Sequence, residues 1–130
     1  MTEEIYKNEP TDGCEIAEYS EEGFRALVTY GSWRVAIINF AERLRKENFT
    51  RIERHLETDE VFILVEGSAV LVVGSECRRI PMEKGKVYNI KKCSWHHILM
   101  DPPDPATKVI VVENADTSAE NTEYRYLGDL

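Results

Sequence analysis

Glu53-Arg54-His55-Leu56-Glu57-Thr58-Asp59-Glu60-Val61-Phe62-Ile63-Leu64-Val65-Glu66-Gly67 is the stretch around which the rest of this chain is organised. It holds one of only three histidines, several carboxylates, an unbroken apolar run and a closing glycine. Side chains alternate along an extended strand, so Glu53 and His55 share a face. Glu57-Thr58-Asp59 reads as a short acidic turn. Glu60 then opens the run Val61-Phe62-Ile63-Leu64-Val65, which has the length and β-branched content of a buried strand. Gly67 ends it. Ligand-type side chains at the end of one strand and the start of the next can converge on one point. A metal or small-molecule site needs that convergence.

Outward from this stretch the chain reads as short strands separated by turns. Upstream, strands are expected over 24–30 and 33–40, joined at Gly31-Ser32, a two-residue turn with glycine first. The second of these is apolar on both faces near its end, which places it between covered surfaces. Residues 41–48 are rich in helix formers but carry a single central apolar residue, Leu44, so they read as a charged loop of at most one helical turn. Its Arg43, Arg45 and Lys46 are within reach of an anionic ligand, although a solvated loop is the plainer reading. The strand over 50–56 puts Ile52 and Leu56 on one side and Arg51, Glu53 and His55 on the other. Downstream, strands follow over 61–65, 69–73, 77–80, 87–90, 95–100, 108–113 and 122–127. Pro102, Pro103 and Pro105 keep the loop before the strand at 108 out of any ladder. Many short strands at even spacing, with no alternating long helices, indicate an all-β sandwich or barrel. Residues 1–22 are polar and acidic and read as an N-terminal arm, leaving 23–130 as a single barrel domain.

At 130 residues the chain suits one domain with one core. With 42% hydrophobic and 31% charged residues it has a globular rather than a disordered balance. A formal net charge of −8 repels phosphate backbones and anionic membrane surfaces, so neither nucleic acid nor membrane is expected as a partner. No stretch reads as a signal peptide or a membrane span. Cys14, Cys77 and Cys93 are odd in number and widely spaced, which points to reduced thiols in the cytoplasm. No glycine-flanked serine elbow, phosphate-binding loop or nucleotide fingerprint is present.

The 53–67 stretch resembles the first motif of the cupins: His, any residue, His, three or four residues, Glu, six residues, Gly. Anchored on Gly67, Glu60 is the motif glutamate, and a four-residue gap behind it puts His55 at the second histidine position. The first histidine position falls on Glu53. A second registration places His55 first and Glu57 second, but leaves only two residues before Glu60, one too few. Both Glu53 and Glu57 therefore stand as candidates for the fourth ligand. The second cupin motif runs Gly, five residues, Pro, any residue, Gly, two residues, His, three residues, Asn. From Gly85 that spacing reaches His96, with Lys91 in place of the proline, Cys93 in place of the second glycine and Met100 in place of the asparagine.

The resemblance implies an all-β cupin double-stranded β-helix, a jelly-roll barrel, in a small single-domain protein that forms a homodimer. It implies a divalent metal held by His55, Glu60 and His96, with Glu53 or Glu57 assisting. Such a donor set suits Fe, Mn, Ni or Zn. A small-molecule ligand would sit in the barrel. In an enzyme, an isomerase or epimerase of a sugar-type molecule or an oxygenase, Glu60 would move protons. The alternative is a metal-free binding barrel without catalysis. Imidazole ligands bind metal in their neutral form, so the site should lose metal below about pH 6. His97 should point away from His96, into packing or a subunit contact. Cys93 is a weaker ligand candidate, read first as a small residue in a tight turn. Trp33, Phe62, Tyr88, Trp95 and Met100 are candidate cavity or core residues.

Overall fold

The computed structural model describes residues 6–129, with side chains over 12–128; the first five residues of the expected arm lie outside the described residues. Two strands, β1 (Tyr6–Thr11) and β2 (Cys14–Tyr19), form an antiparallel hairpin of their own. The remaining ten strands build two five-stranded antiparallel sheets. They are β3 (Gly23–Tyr30), β4 (Trp33–Asn39), β5 (Arg51–His55), β6 (Glu60–Glu66) and β7 (Val70–Val73). After these come β8 (Arg78–Pro81), β9 (Tyr88–Ile90), β10 (His96–Leu99), β11 (Lys108–Asn114) and β12 (Thr122–Tyr126). One sheet has the order β3-β4-β11-β6-β9 and the other β12-β5-β10-β7-β8. The chain passes repeatedly from one sheet to the other, which is the jelly-roll arrangement expected.

Most turns fall where the residue chemistry places them. Tyr30 pairs with Trp33 across a two-residue loop whose first residue, Gly31, has φ +55°. Pro81 is tolerated because β8 is an edge strand, where a missing amide donor leaves no gap in the ladder. Residues 41–48 form two short 3-10 turns, Glu42–Leu44 and Lys46–Asn48, rather than a helix. Leu44, the lone apolar residue there, is buried, and its carbonyl accepts the Met100 backbone N–H at 2.8 Å. It pins the loop over one end of the barrel.

The main core lies between the sheets, with Ile38, Phe62, Leu64, Leu71, Ile98, Met100 and Val111 among its residues. Alternation sends Ile52, Val72 and Leu99 to the far side of the second sheet, where Phe49 and Trp95 pack against them. β4 and β6 depart from the expectation of strands covered on both faces. In β6 burial alternates, with Glu60, Phe62 and Leu64 inside and Val61 and Ile63 half-buried on the outer face. β4 and β11 do the same. Antiparallel sheets need burial on one face only; a continuous apolar run does not show which neighbours cover the second.

Candidate metal centre

The acidic turn at 57–59 carries the chain from β5 in one sheet to β6 in the other, and it is held on several sides. The Asp59 carboxylate accepts the Lys92 backbone N–H at 2.9 Å, the Asn89 amide at 3.1 Å and the Lys91 ammonium at 3.0 Å. These donors pull its pKa down to about 2. The Thr58 hydroxyl oxygen accepts the Asn114 N–H at 2.9 Å, and the Cys93 N–H donates to the His55 carbonyl at 2.7 Å. The two cupin-like motifs thus meet physically: the loop before β10 holds the turn of the 53–67 stretch. Cys93, at the position of a motif glycine, has φ +68°, in the left-handed region glycine favours. Its thiol is exposed, 3.8 Å from the Leu56 carbonyl, and does not join the ligand group below.

Period-two alternation points Arg51, Glu53 and His55 from β5 into the barrel, toward a cavity of about 540 Å³. His96 on β10 pairs in register with Glu53. Glu60 enters from the opposite sheet. One ligand atom from each of Glu53, His55, Glu60 and His96 lies within 4.8 Å of all the others. Glu60 Oε1 is 2.9 Å from His55 Nε2 and 3.0 Å from His96 Nε2. Glu53 Oε2 is 3.5 Å from His55 Nε2 and 3.9 Å from His96 Nε2. Two ligand atoms each about 2.1 Å from one ion stand about 3 Å apart at a right angle and about 3.4 Å apart in a tetrahedron. The four groups fit a divalent ion with little movement. Glu57 is exposed and outside the group, and its contribution is a backbone carbonyl that accepts the Asn114 amide.

The second nitrogens orient both rings. His96 Nδ1 lies 2.9 Å from the Ser94 carbonyl, which can only accept. Nδ1 therefore carries the hydrogen, and Nε2 faces the centre of the group. His55 Nδ1 meets the Thr122 hydroxyl at 2.8 Å. With Nδ1–H committed, Nε2 of His96 can donate to Glu60 only as an imidazolium. Burial pushes His55 and His96 down, but the hydrogen bonds and charge of Glu60 outweigh it and both end above 6.5. Burial likewise pushes Glu60 up, and the two histidines more than reverse that, so it ends below the ordinary 4.5.

Opposite pH dependences follow for the metal-free and metal-loaded protein. Histidines with raised values stabilise the metal-free fold fully below pH 6.5, and that contribution fades as pH rises through their folded-state values. Depressed Glu60 contributes above pH 4.5 and loses its effect as pH falls further. Chelator-treated protein should therefore melt at progressively lower temperature from about pH 7 upward. Metal competes with those same protons, so metal-supplemented protein should gain stability over that range. Thermal melts across pH with and without chelator check this; parallel pH profiles in the two states would refute it.

Arg34 and Glu113 also reach the cavity, and neither was singled out from the sequence. They pair across β4 and β11, with Arg34 Nη2 at 2.6 Å and Nε at 3.0 Å from the same carboxylate oxygen. Burial and the nearby Glu60 charge raise the Glu113 pKa despite Arg34. The only local signal was a charge near the end of each of two apolar strands, far apart in the chain. His97 points away from His96 and stacks on Phe49, with centroids 5.0 Å apart. Burial first, then the charges of His96, Arg43 and Arg51, pushes its pKa down to about 4. Of the aromatic and methionine candidates, Phe62 lines the cavity. Met100 is core, Tyr88 packs against the core, Trp95 lies on the far side of the second sheet and Trp33 is exposed.

No family profile and no curated relative matches the chain. Solved structures do. A cupin-2 domain protein from Shewanella frigidimarina superposes with a TM-score of 0.55 at 18% identity, over 74% of this chain and 84% of its own. Pac13, a nucleoside dehydratase from Streptomyces, gives 0.57 at 9% identity, over 95% of this chain and 87% of its own. HppE in its Fe(II) form gives 0.59 at 13% identity, over 87% of this chain and 58% of its own. At these identities the likeness is one of fold.

Proposed function

We propose that this chain, which has the cupin fold, holds a divalent metal at Glu53, His55, Glu60 and His96 and binds a small molecule in the cavity above it. The observation that carries the reading is the convergence of four ligand atoms within 4.8 Å of one another, contributed by three strands of two sheets. Two neutral imidazoles and two carboxylates suit Fe, Mn, Ni or Zn, and the carboxylates balance the ion's charge. A cavity of about 540 Å³ falls within the range of small-molecule sites, and Trp95 and Met100 do not plug it. The Fe(II) in HppE and the uridine bound by Pac13 variants fit the same reading.

When bound, the metal would polarise a ligand oxygen. The chain's own residues supply the rest. Ser94 and Thr122 fix the two imidazoles. Glu60 is buried and bonded to both, and a proton held there stays between the rings. Glu53, with a third of its side chain exposed, faces the cavity and is the better placed carboxylate to exchange a proton with a ligand. In catalytic form this describes a sugar-type isomerase or epimerase, or an oxygenase. The alternative is a metal-free binding barrel, in which both Glu60 contacts serve as hydrogen bonds. Protein purified without chelator decides between them by elemental analysis. Stoichiometric metal that disappears in His55→Ala upholds the metal reading. A folded wild-type protein that takes up none of Fe(II), Mn(II), Ni(II) or Zn(II) would overturn it.

A homodimer is part of the same proposal. Val35, Ile37, Ile110 and Val112 form paired rows on the outer face of the β3-β4-β11-β6-β9 sheet, beside exposed Tyr30 and Trp33. A second copy would cover that face. The three unpaired cysteines support placing the protein in the reducing cytoplasm. Among the described residues no helix is long and apolar enough to cross a membrane.

A further inference from the structure

We propose that the cavity's ligand carries a carboxylate or phosphate group, held by Arg43 and Arg51 while the rest of the molecule reaches toward the four-ligand centre. The inference rests on the small-molecule part of the proposed function and names the ligand class of that cavity. Arg51 lies on β5 two residues before Glu53 and on the same face, so it overhangs the centre from one side. Its guanidinium lies over the Tyr124 ring, 4.0 Å from the centroid, and among the described residues its one hydrogen bond is to the Tyr126 hydroxyl at 3.3 Å. Stacking holds the plane still and leaves most of its in-plane N–H donors unused. Arg43 comes from the loop that Leu44 anchors, and it lines the same cavity.

Among the described residues neither guanidinium has a carboxylate within ion-pair distance. Arg34, Arg45 and Arg54 are each salt-bridged, the last on the far side of the sheet to Glu123. Arg78, Arg79 and Arg125 also have no ion pair among the described residues, but of the unpaired guanidiniums only Arg43 and Arg51 line the cavity. The cavity's charge count agrees. Counted as ionised, Glu53, Glu60 and Glu113 balance Arg34, Arg43 and Arg51, and the raised pKa of Glu113 tips that balance only toward positive. A divalent ion then leaves two positive charges for a ligand to balance. Carboxylate and phosphate present the paired oxygens that a guanidinium fork matches.

Three matched probes test this on the full chain loaded with Zn²⁺: glycerol, glycerate and glycerol 3-phosphate, titrated under NMR observation. At least one charged probe should bind about 10-fold or more tighter than glycerol. Whichever wins tells carboxylate from phosphate. Arg43→Ala and Arg51→Ala should each weaken that binding by about 10-fold, and Arg54→Ala should leave it unchanged. Both mouth arginines are exposed, so the variants should keep the wild-type circular dichroism spectrum. Equal binding of all three probes overturns the proposal. So does charged-probe binding indifferent to Arg43→Ala and Arg51→Ala, which would mean that the metal alone holds the anion. Elemental analysis of the same samples separates the two readings. Arginine-dependent anion binding in protein that takes up no metal would sink the metal reading and leave this one standing.

Discussion

His96→Ala is expected to lower divalent-metal affinity by more than about 100-fold, because removing a direct ligand should exceed the 10–100-fold cost of losing a supporting group. His96 is almost fully buried, so no other side chain can swing into its place. The same substitution should destabilise the metal-free protein by about 3 kcal/mol, since it strips one of two partners from the buried Glu60 carboxylate. Glu53→Ala should cost less metal affinity, about 10-fold, because its oxygen lies farther from the imidazoles and its side chain is partly solvated. Glu57→Ala should cost none, its carboxylate being exposed and outside the group. Competition against a chromophoric chelator ranks the three variants. Loss of affinity in Glu57→Ala to the level of Glu53→Ala would mean that the wrong glutamate has been placed at the centre.

Gly67→Ala should cost about 3–5 kcal/mol and lower the melting temperature by roughly 10–20 °C. Two effects add. Gly67 has φ +79°, where a side chain is strained. A Cβ there would also overlap the Thr107 side chain and Cα. Thr107 cannot yield. It is almost fully buried, its hydroxyl accepts the Ser68 N–H at 3.2 Å, and its carbonyl accepts the Phe40 N–H at 3.1 Å. Gly74→Ala isolates the first effect, because Gly74 has φ +87° with nothing within 4 Å of the added carbon. It should cost about 1–2 kcal/mol. Equal melting temperatures for the two variants would show that the contact with Thr107 relaxes freely.

The Gly67 contact also explains why the 53–67 stretch was readable. A glycine forced by both backbone and packing ends β6 at a fixed place, and counting back from it lands on Glu60 and His55. Turn glycines, alternation along β5 and proline breaks are local properties, so ten strands of the two sheets could be placed within a residue or two. Leu44 shows the limit of local reading. Without an apolar stripe its loop read as solvated, yet one leucine closes the end of the barrel because the loop lies across the open core. β4 and β6 show another limit. Their apolar runs implied cover on both faces, but composition says nothing about which neighbour stands on the second face.

His96 was reached only through the resemblance to the second cupin motif, but by itself the sequence determined that this is an all-β chain of short strands and that His55 shares a strand face with Glu53. These follow from period-two geometry and turn chemistry, which act over a few residues. Tertiary structure alone brings Glu53, and not Glu57, beside His55, Glu60 and His96. Glu53 faces inward on a strand paired with His96, whereas Glu57 lies in the crossing turn that Asp59 and Thr58 hold against the loop beyond β9 and the end of β11. It alone also brought Arg34 against Glu113 and placed Arg43 beside the cavity that Arg51 lines. Those meetings depend on strand order and on how two sheets face each other, and no spacing along the chain encodes the distance between residues on different sheets.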